Sequence, residues 1–245
     1  MSFQPYDTFA ARPSEYSLPC NEDVPKEFRD RMHPWIEGFV GLEPPQAQER
    51  LAERWTGIQT QEFARLRDTL LKFSAVAIVD FEEGGTLAGK RPESSGDKIG
   101  DWWYLPAPLS RDYIVERLKG IGFDPSDAMV EFFDHFGGLA ENTVESGSFR
   151  YSEDFWPLFG VEDTARGMWG RDWPESVQSF QDWHGSLMWY QALNGCYLLL
   201  RADEAVGWWI MQEQRVEPIA QSIEEFAVQY ADHWKVAWPY DPYGK

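Results

Sequence analysis

The spacing of hydrophobic residues changes character along the chain, and each change marks an element. After Pro25, Phe28, Met32, Trp35, Ile36 and Phe39 fall three or four apart, a helical spacing that stops near Gly41. A longer run follows Pro44-Pro45, where Leu51, Trp55, Ile58, Glu62, Leu66, Leu70 and Phe73 form one helical face, apolar except at Glu62. Residues 25–100 are therefore read as a mainly helical N-terminal extension. Residues 1–24, which mix Pro, Ser and acids without a period, are read as an irregular arm. Within the extension, Ala75–Phe81 (AVAIVDF) is short and β-branched, as a buried strand is. The Gly-rich stretch 82–101 is expected to be an exposed loop. Its GTLAGKRP lacks the spacing and the Ser/Thr of a phosphate loop.

Beyond Trp102 the signals are shorter and more regular. Ser110 is a good N-cap for a helix over Arg111–Lys119, which Gly120 and Gly122 stop. Pro125-Ser126-Asp127 opens a second helix with Met129, Val130, Phe133 and Phe136 on its apolar face. Gly137 and Gly138 end it in a left-handed cap. Residues 139–185 are irregular and aromatic. SLMWYQAL, Asn194-Gly195 and CYLLLRA then give a strong hairpin signal, because Asn-Gly supplies the positive φ angles of a tight two-residue turn. A turn at Asp203-Glu204, VGWWIMQ and RVEPIA extend it into a meander. The capping box Ser222-Ile-Glu-Glu225 opens a last helix with Phe226, Tyr230 and Trp234 on one face. The fold class this implies is α+β: a twisted antiparallel meander with helices packed on one side, formed by residues 101–245.

Composition sharpens the functional question. Thirteen tryptophans among 245 residues either pack large structural corners or line a binding face. Along VGWWIM, neighbouring side chains point to opposite faces, so one of Trp208 and Trp209 should face a helix and the other solvent, a flanking segment or a partner. The net charge of -19 argues against nucleic acid and against an anionic membrane as partners. It is also uneven: 17 acids stand against 12 bases in residues 1–100, and 24 against 10 in 101–245. No apolar run at the N-terminus suits a signal peptide and no stretch could span a bilayer, so a cytoplasmic location is expected. Cys20 and Cys196 make neither a disulfide framework nor a zinc site.

Candidate chemistry is sparse. Three histidines have an aspartate within two residues: Asp134-His135, Asp182-Trp183-His184 and Asp232-His233. None of the pairs has the spacing that sets two ligands on one metal from one element, and there is no nucleophile elbow. Asp134-His135 is read as a helix end, with His135 complementing the helix dipole and Asp134 solvated. No catalytic residue, metal ligand or cofactor is assigned. A metal-dependent hydrolase using His184 and nearby acids is the third-ranked reading, behind a carbohydrate or small-molecule binder using exposed tryptophans.

The first-ranked reading comes from the order of these signals. A Leu-Pro leading into two helices, the second ending EFFDHFGGL, is followed by an aromatic loop region, a meander with ALNGCYLLL and VGWWIM, and a closing EPIAQSIEEFAVQYA. Over about residues 103–236 this resembles the SUKH superfamily. The resemblance implies helices on one side of an antiparallel sheet and a non-catalytic protein-binding module, in many bacterial members an immunity protein that neutralises a toxin by binding it. The partner implied is a protein, a basic toxin domain suiting the acidic C-terminal half. The segment Tyr151–Trp183 offers the aromatics and acids such a surface needs: Glu153, Asp154, Trp156, Glu162, Asp163, Trp169, Asp172, Trp173 and Asp182.

Overall fold

Strand-forming runs recur along most of the chain, and they join a single antiparallel sheet. A computed structural model describes residues 17–20, 23–72, 75–79, 84–90, 102–120, 122–142, 147–149, 156–157, 182–183, 185–192, 197–210 and 215–236. Its strands are β1 (Ser17–Pro19), β2 (Ala75–Val79), β3 (Thr86–Lys90), β4 (Trp102–Pro106), β5 (Ala140–Asn142), β6 (Gly147–Phe149), β7 (Trp156–Pro157), β8 (Leu187–Ala192), β9 (Tyr197–Leu200), β10 (Val206–Ile210) and β11 (Arg215–Ala220). They are ordered β1-β2-β3-β4-β5-β6-β8-β9-β10-β11, with β7 pairing β8 beside β6. The helices are α1 (Lys26–Arg29), α2 (Pro34–Glu37), α3 (Pro44–Arg54), α4 (Gln61–Leu70), α5 (Arg111–Gly120), α6 (Asp127–Phe136) and α7 (Ile223–Val236). The fold is α+β, as the periodicities predict.

Period-two alternation decides which strand residues meet the helices. Val76 and Ile78, Leu87, Trp103 and Leu105, Leu198 and Leu200, and Val206, Trp208 and Ile210 all belong to the core that also holds the buried apolar residues of all seven described helices. One exception has a cause. The register of β8 against β9 shifts between Met188 and Tyr190, a bulge, and the neighbours Trp189 and Tyr190 both join the helix-side core. Trp189 reaches Phe132 of α6 at 5.0 Å and Phe226 of α7 at 4.9 Å, while Tyr190 reaches Tyr230 at 6.3 Å.

Several expectations are revised. TLAGK, expected in an exposed loop, is β3, and its residues Thr86–Gly89 are buried between β2 and β4. The weak apolar period there arises because Gly89 gives its side-chain space away: a Cβ at this position would fall inside the indole of Trp103, its partner across β4. Ser17–Pro19, within the segment read as irregular, pairs with β2 as β1, and Cys20 and Val24 are buried. Pairing of β3 with β4 carries the sheet across the boundary placed at residue 100.

The long helical face beginning after Pro44-Pro45 is two helices. The chain leaves helical form over Trp55–Thr60 and resumes with a shifted face of Phe63, Leu66 and Leu70, so Glu62 falls beside the apolar stripe instead of within it. The earlier run likewise breaks into α1 and α2, because Pro34 takes the first position of a new helix whose N-cap is His33; the His33 Nδ1 accepts from the Trp35 amide at 3.1 Å.

In the C-terminal half the helix starts and the late meander follow their signals, whereas β4 and, within the stretch read as irregular, β5, β6 and β7 are strands that no signal marked. Ser110 and Ser126 accept from the amides of Tyr113 (3.3 Å) and Met129 (3.0 Å). Glu204 takes the left-handed turn position at φ 69, and Ser222 caps α7 while Glu225 reaches back to the Gln221 amide at 2.7 Å. The Asn194-Gly195 turn lies outside the described residues, but β8 and β9 pair antiparallel on either side of it. Trp234 falls within α7, and its side chain is likewise outside them. The cap after α6 differs from expectation. Only Gly138 is left-handed, at φ +78, whereas Gly137 has an ordinary φ of -56. Gly137 is required for another reason: a Cβ there would overlap the Phe133 carbonyl oxygen. Gly137→Ala should therefore destabilise the protein by about 1–3 kcal/mol, as overpacking does. A wild-type thermal midpoint in this variant would show that the carbonyl gives way.

Candidate functional site

The acid-rich aromatic segment is held at its two ends by β8. Trp156 and Pro157 form β7, opposite Met188 and Leu187, so the two ends of the connection 158–186 lie side by side. Asp182 is exposed in the turn just before β8, and its neighbour Trp183 is only 4% exposed. Glu153, Asp154, Glu162, Asp163, Trp169, Asp172 and Trp173, and the side chain of Trp156, lie outside the described residues.

Trp183 fixes this end of the segment on the sheet face turned away from the helices. Its ring lies over Gly207 of β10, where a Cβ would come within 2.6 Å of Cη2 and 2.8 Å of Val216 Cγ1. Arg201 places its guanidinium 5.6 Å from the centre of the same ring and pairs with Asp203 at 2.6 Å. The strand pattern alone does not forecast this packing; a glycine between Val206 and Trp208 is its trace in the sequence.

The tryptophan pair divides between the two faces of the sheet, as expected. Trp208 faces the helices, 6.3 Å from Tyr190, but Trp209 is fully buried on the opposite face, 5.5 Å from Tyr197. Trp55, Trp103, Trp183 and Trp189 are also buried, and Trp35 is half-buried beneath Arg54, whose guanidinium lies 5.0 Å above its ring. The described tryptophans thus act as core and cover. They do not make an exposed stacking platform.

No family model, curated protein or solved structure matches the chain.

The Asp-His pairs come out separately. Asp134 sits 3.7 Å from Arg111 of α5 and is half-buried, while Asp232 takes two hydrogen bonds from Arg65 of α4 at 2.5 and 2.7 Å. His184 and the side chain of His233 lie outside the described residues. Among the described residues no group of three or more His, Cys, Asp or Glu could hold a metal ion. Cys20 donates to the Val76 carbonyl at 3.4 Å, and burial pushes its thiol up to about 12, which keeps it protonated and unreactive. No described helix is long and apolar enough to cross a membrane.

His135 is not a solvated dipole partner. It is 8% exposed, and desolvation lowers its pKa below the ordinary value, so the neutral imidazole is the favoured form. Asp134 and Glu131 pull in the other direction, and Arg54 adds to the lowering. The backbone carbonyl of His135 accepts from the Trp55 indole at 3.1 Å, and Arg54 donates to the carbonyls of Pro106 (2.5 Å) and Asp134 (3.5 Å).

One residue in this region carries no sequence signal at all. Glu131 lies inside the apolar run MVEFFDHF and is 8% exposed. Its carboxylate accepts from the amides of Gln59 (2.5 Å) and Thr60 (3.2 Å) and from the Thr60 hydroxyl (2.6 Å). It thereby caps α4 from another helix, since the Thr60 side chain makes no cap of its own. Burial raises the Glu131 pKa, but these hydrogen bonds outweigh it and the net shift is downward.

Proposed function

We propose that the chain is a non-catalytic protein-binding module of the immunity type, SUKH-like in organisation, that captures a basic partner through the segment Tyr151–Trp183, most of which is the connection between β7 and β8. The observation that carries this reading is the attachment of that connection. An acid- and aromatic-rich stretch of sequence is fastened at Pro157 and at Trp183 to a sheet with a continuous buried core, which is how recognition loops are presented on rigid scaffolds. The uneven negative charge supports it, because an acidic surface accelerates encounter with a basic partner and disfavours anionic ones. The burial of the described tryptophans takes support from a carbohydrate platform.

The test measures binding to a basic toxin domain, taken from a neighbouring reading frame if one encodes it, by the wild type and by the triple charge reversal Asp154→Lys, Asp163→Lys, Asp172→Lys. The variant should associate at least about tenfold more slowly at low salt, and added salt should narrow the difference as the screening length shortens. Alanine at Trp169 or Trp173 should mainly speed dissociation. Thermal unfolding of each variant separates lost binding from lost folding. Wild-type association and dissociation by all the folded variants would sink the assignment to the segment Tyr151–Trp183.

A further inference from the structure

We propose that His135 is an acid-sensitive latch: protonation of its imidazole frees the corner between α3 and α4 from α6 while the sheet stays folded. The inference rests on the groups gathered there and does not depend on the identity of any partner. The corner, Trp55–Thr60, is where the helical face breaks, and it is held onto α6 by polar contacts. Glu131 takes the Gln59 and Thr60 amides and the Thr60 hydroxyl, and the Trp55 indole donates to the His135 carbonyl. The imidazole lies under the same corner: a Cβ at Gly57 would stand 3.8 Å from its Cε1 and 4.0 Å from its Nε2.

A proton added at this place meets opposed influences. From α3, the Arg54 guanidinium beside the ring opposes the charge, while the hydrogen bond from the imidazole to the Arg54 backbone favours it. From α6, the Asp134 and Glu131 carboxylates favour the charge, but burial outweighs them and the net shift is downward. Gln59, Thr60 and Gly57 of the corner bring no charge. The ring has little access to water, so an imidazolium gains solvation only if the corner lifts. The sign follows directly. The folded pKa is lowered from the value of about 6.5 expected for an open site, so the closed form is favoured above that pH and loses ground as pH falls below it. Glu131 does not confuse this window, because its own pKa is lowered and its contribution is lost only in more acid solution.

Backbone hydrogen exchange tests the latch on the full chain. After correction for intrinsic exchange, protection of the Gln59 and Thr60 amides should fall between pH 7.5 and 5.5, by up to about tenfold, the limit set by an open-site value one unit higher. Amides of β9 and β10 should keep their protection, and in His135→Gln, which retains an N–H donor but no titration, the corner should show no fall. Unchanged protection in the wild type, an equal fall in the variant, or a uniform loss across the sheet would each overturn the proposal. The imidazole titration of His135 in the wild-type protein, followed by its proton chemical shifts, needs no variant. A midpoint at or above about 6.5 would overturn it as well.

Discussion

Trp189→Ala is expected to remove about 3–5 kcal/mol of stability, the range for emptying a buried large aromatic site. The ring is fully buried and stands where the two long C-terminal helices meet the sheet, 5.0 Å from Phe132, 6.0 Å from Phe133 and 4.9 Å from Phe226. Its position depends on the bulge in β8, so the backbone cannot relax into the space without losing register against β9. Phe132 and Phe136 are themselves packed on Phe63 of α4, so the cavity opens in the middle of a chain of rings and not at its edge. Urea denaturation gives the measurement. A loss below about 1.5 kcal/mol would mean that the surrounding rings collapse into the site, and would contradict the packing described here.

Glu131→Ala should cost roughly 1.5–3 kcal/mol at neutral pH, because it removes charged hydrogen bonds and leaves partly buried donors at the start of α4. The pH dependence identifies the cause. With a folded pKa below the unfolded value of about 4.3, the carboxylate contributes fully above that pH and progressively less as pH falls through the folded value. The difference between wild type and variant should therefore be complete at pH 7 and shrink below about pH 4. An equal difference at pH 7 and pH 3 would show that the lost side chain mattered only for its volume. Glu131→Gln, keeping one acceptor, should fall between the two.

Much of the C-terminal half was legible because its signals are local. Ser110, Ser126 and Ser222 each stand at a helix start and each caps one, and the alternation in β9 and β10 sorts their side chains between two faces. The N-terminal half was legible as helix but not as helix boundaries. Leu51, Trp55 and Ile58 continue one spacing straight through the break at Gly57, and periodicity cannot register a turn whose apolar residues stay in step. β3 was hidden for a different reason. Its burial comes from neighbours on both sides, and the residue that makes room for Trp103 is a glycine, which carries no hydrophobic signal.

For the candidate site the same division holds. The sequence by itself determined the acid and aromatic content of the 151–183 segment, the hairpin that follows it, the helix starts and the α+β class, because each depends on residues close in the chain. Only the tertiary structure decided that Trp209 is buried opposite Trp208, that Trp183 rests on Gly207, and that Glu131 and His135 hold a helix corner more than seventy residues away in the chain. Those facts depend on contacts between distant segments. Neither a buried carboxylate nor a neutral imidazole leaves a periodic trace, since both sit where an apolar residue would and are kept there by partners that folding alone brings near.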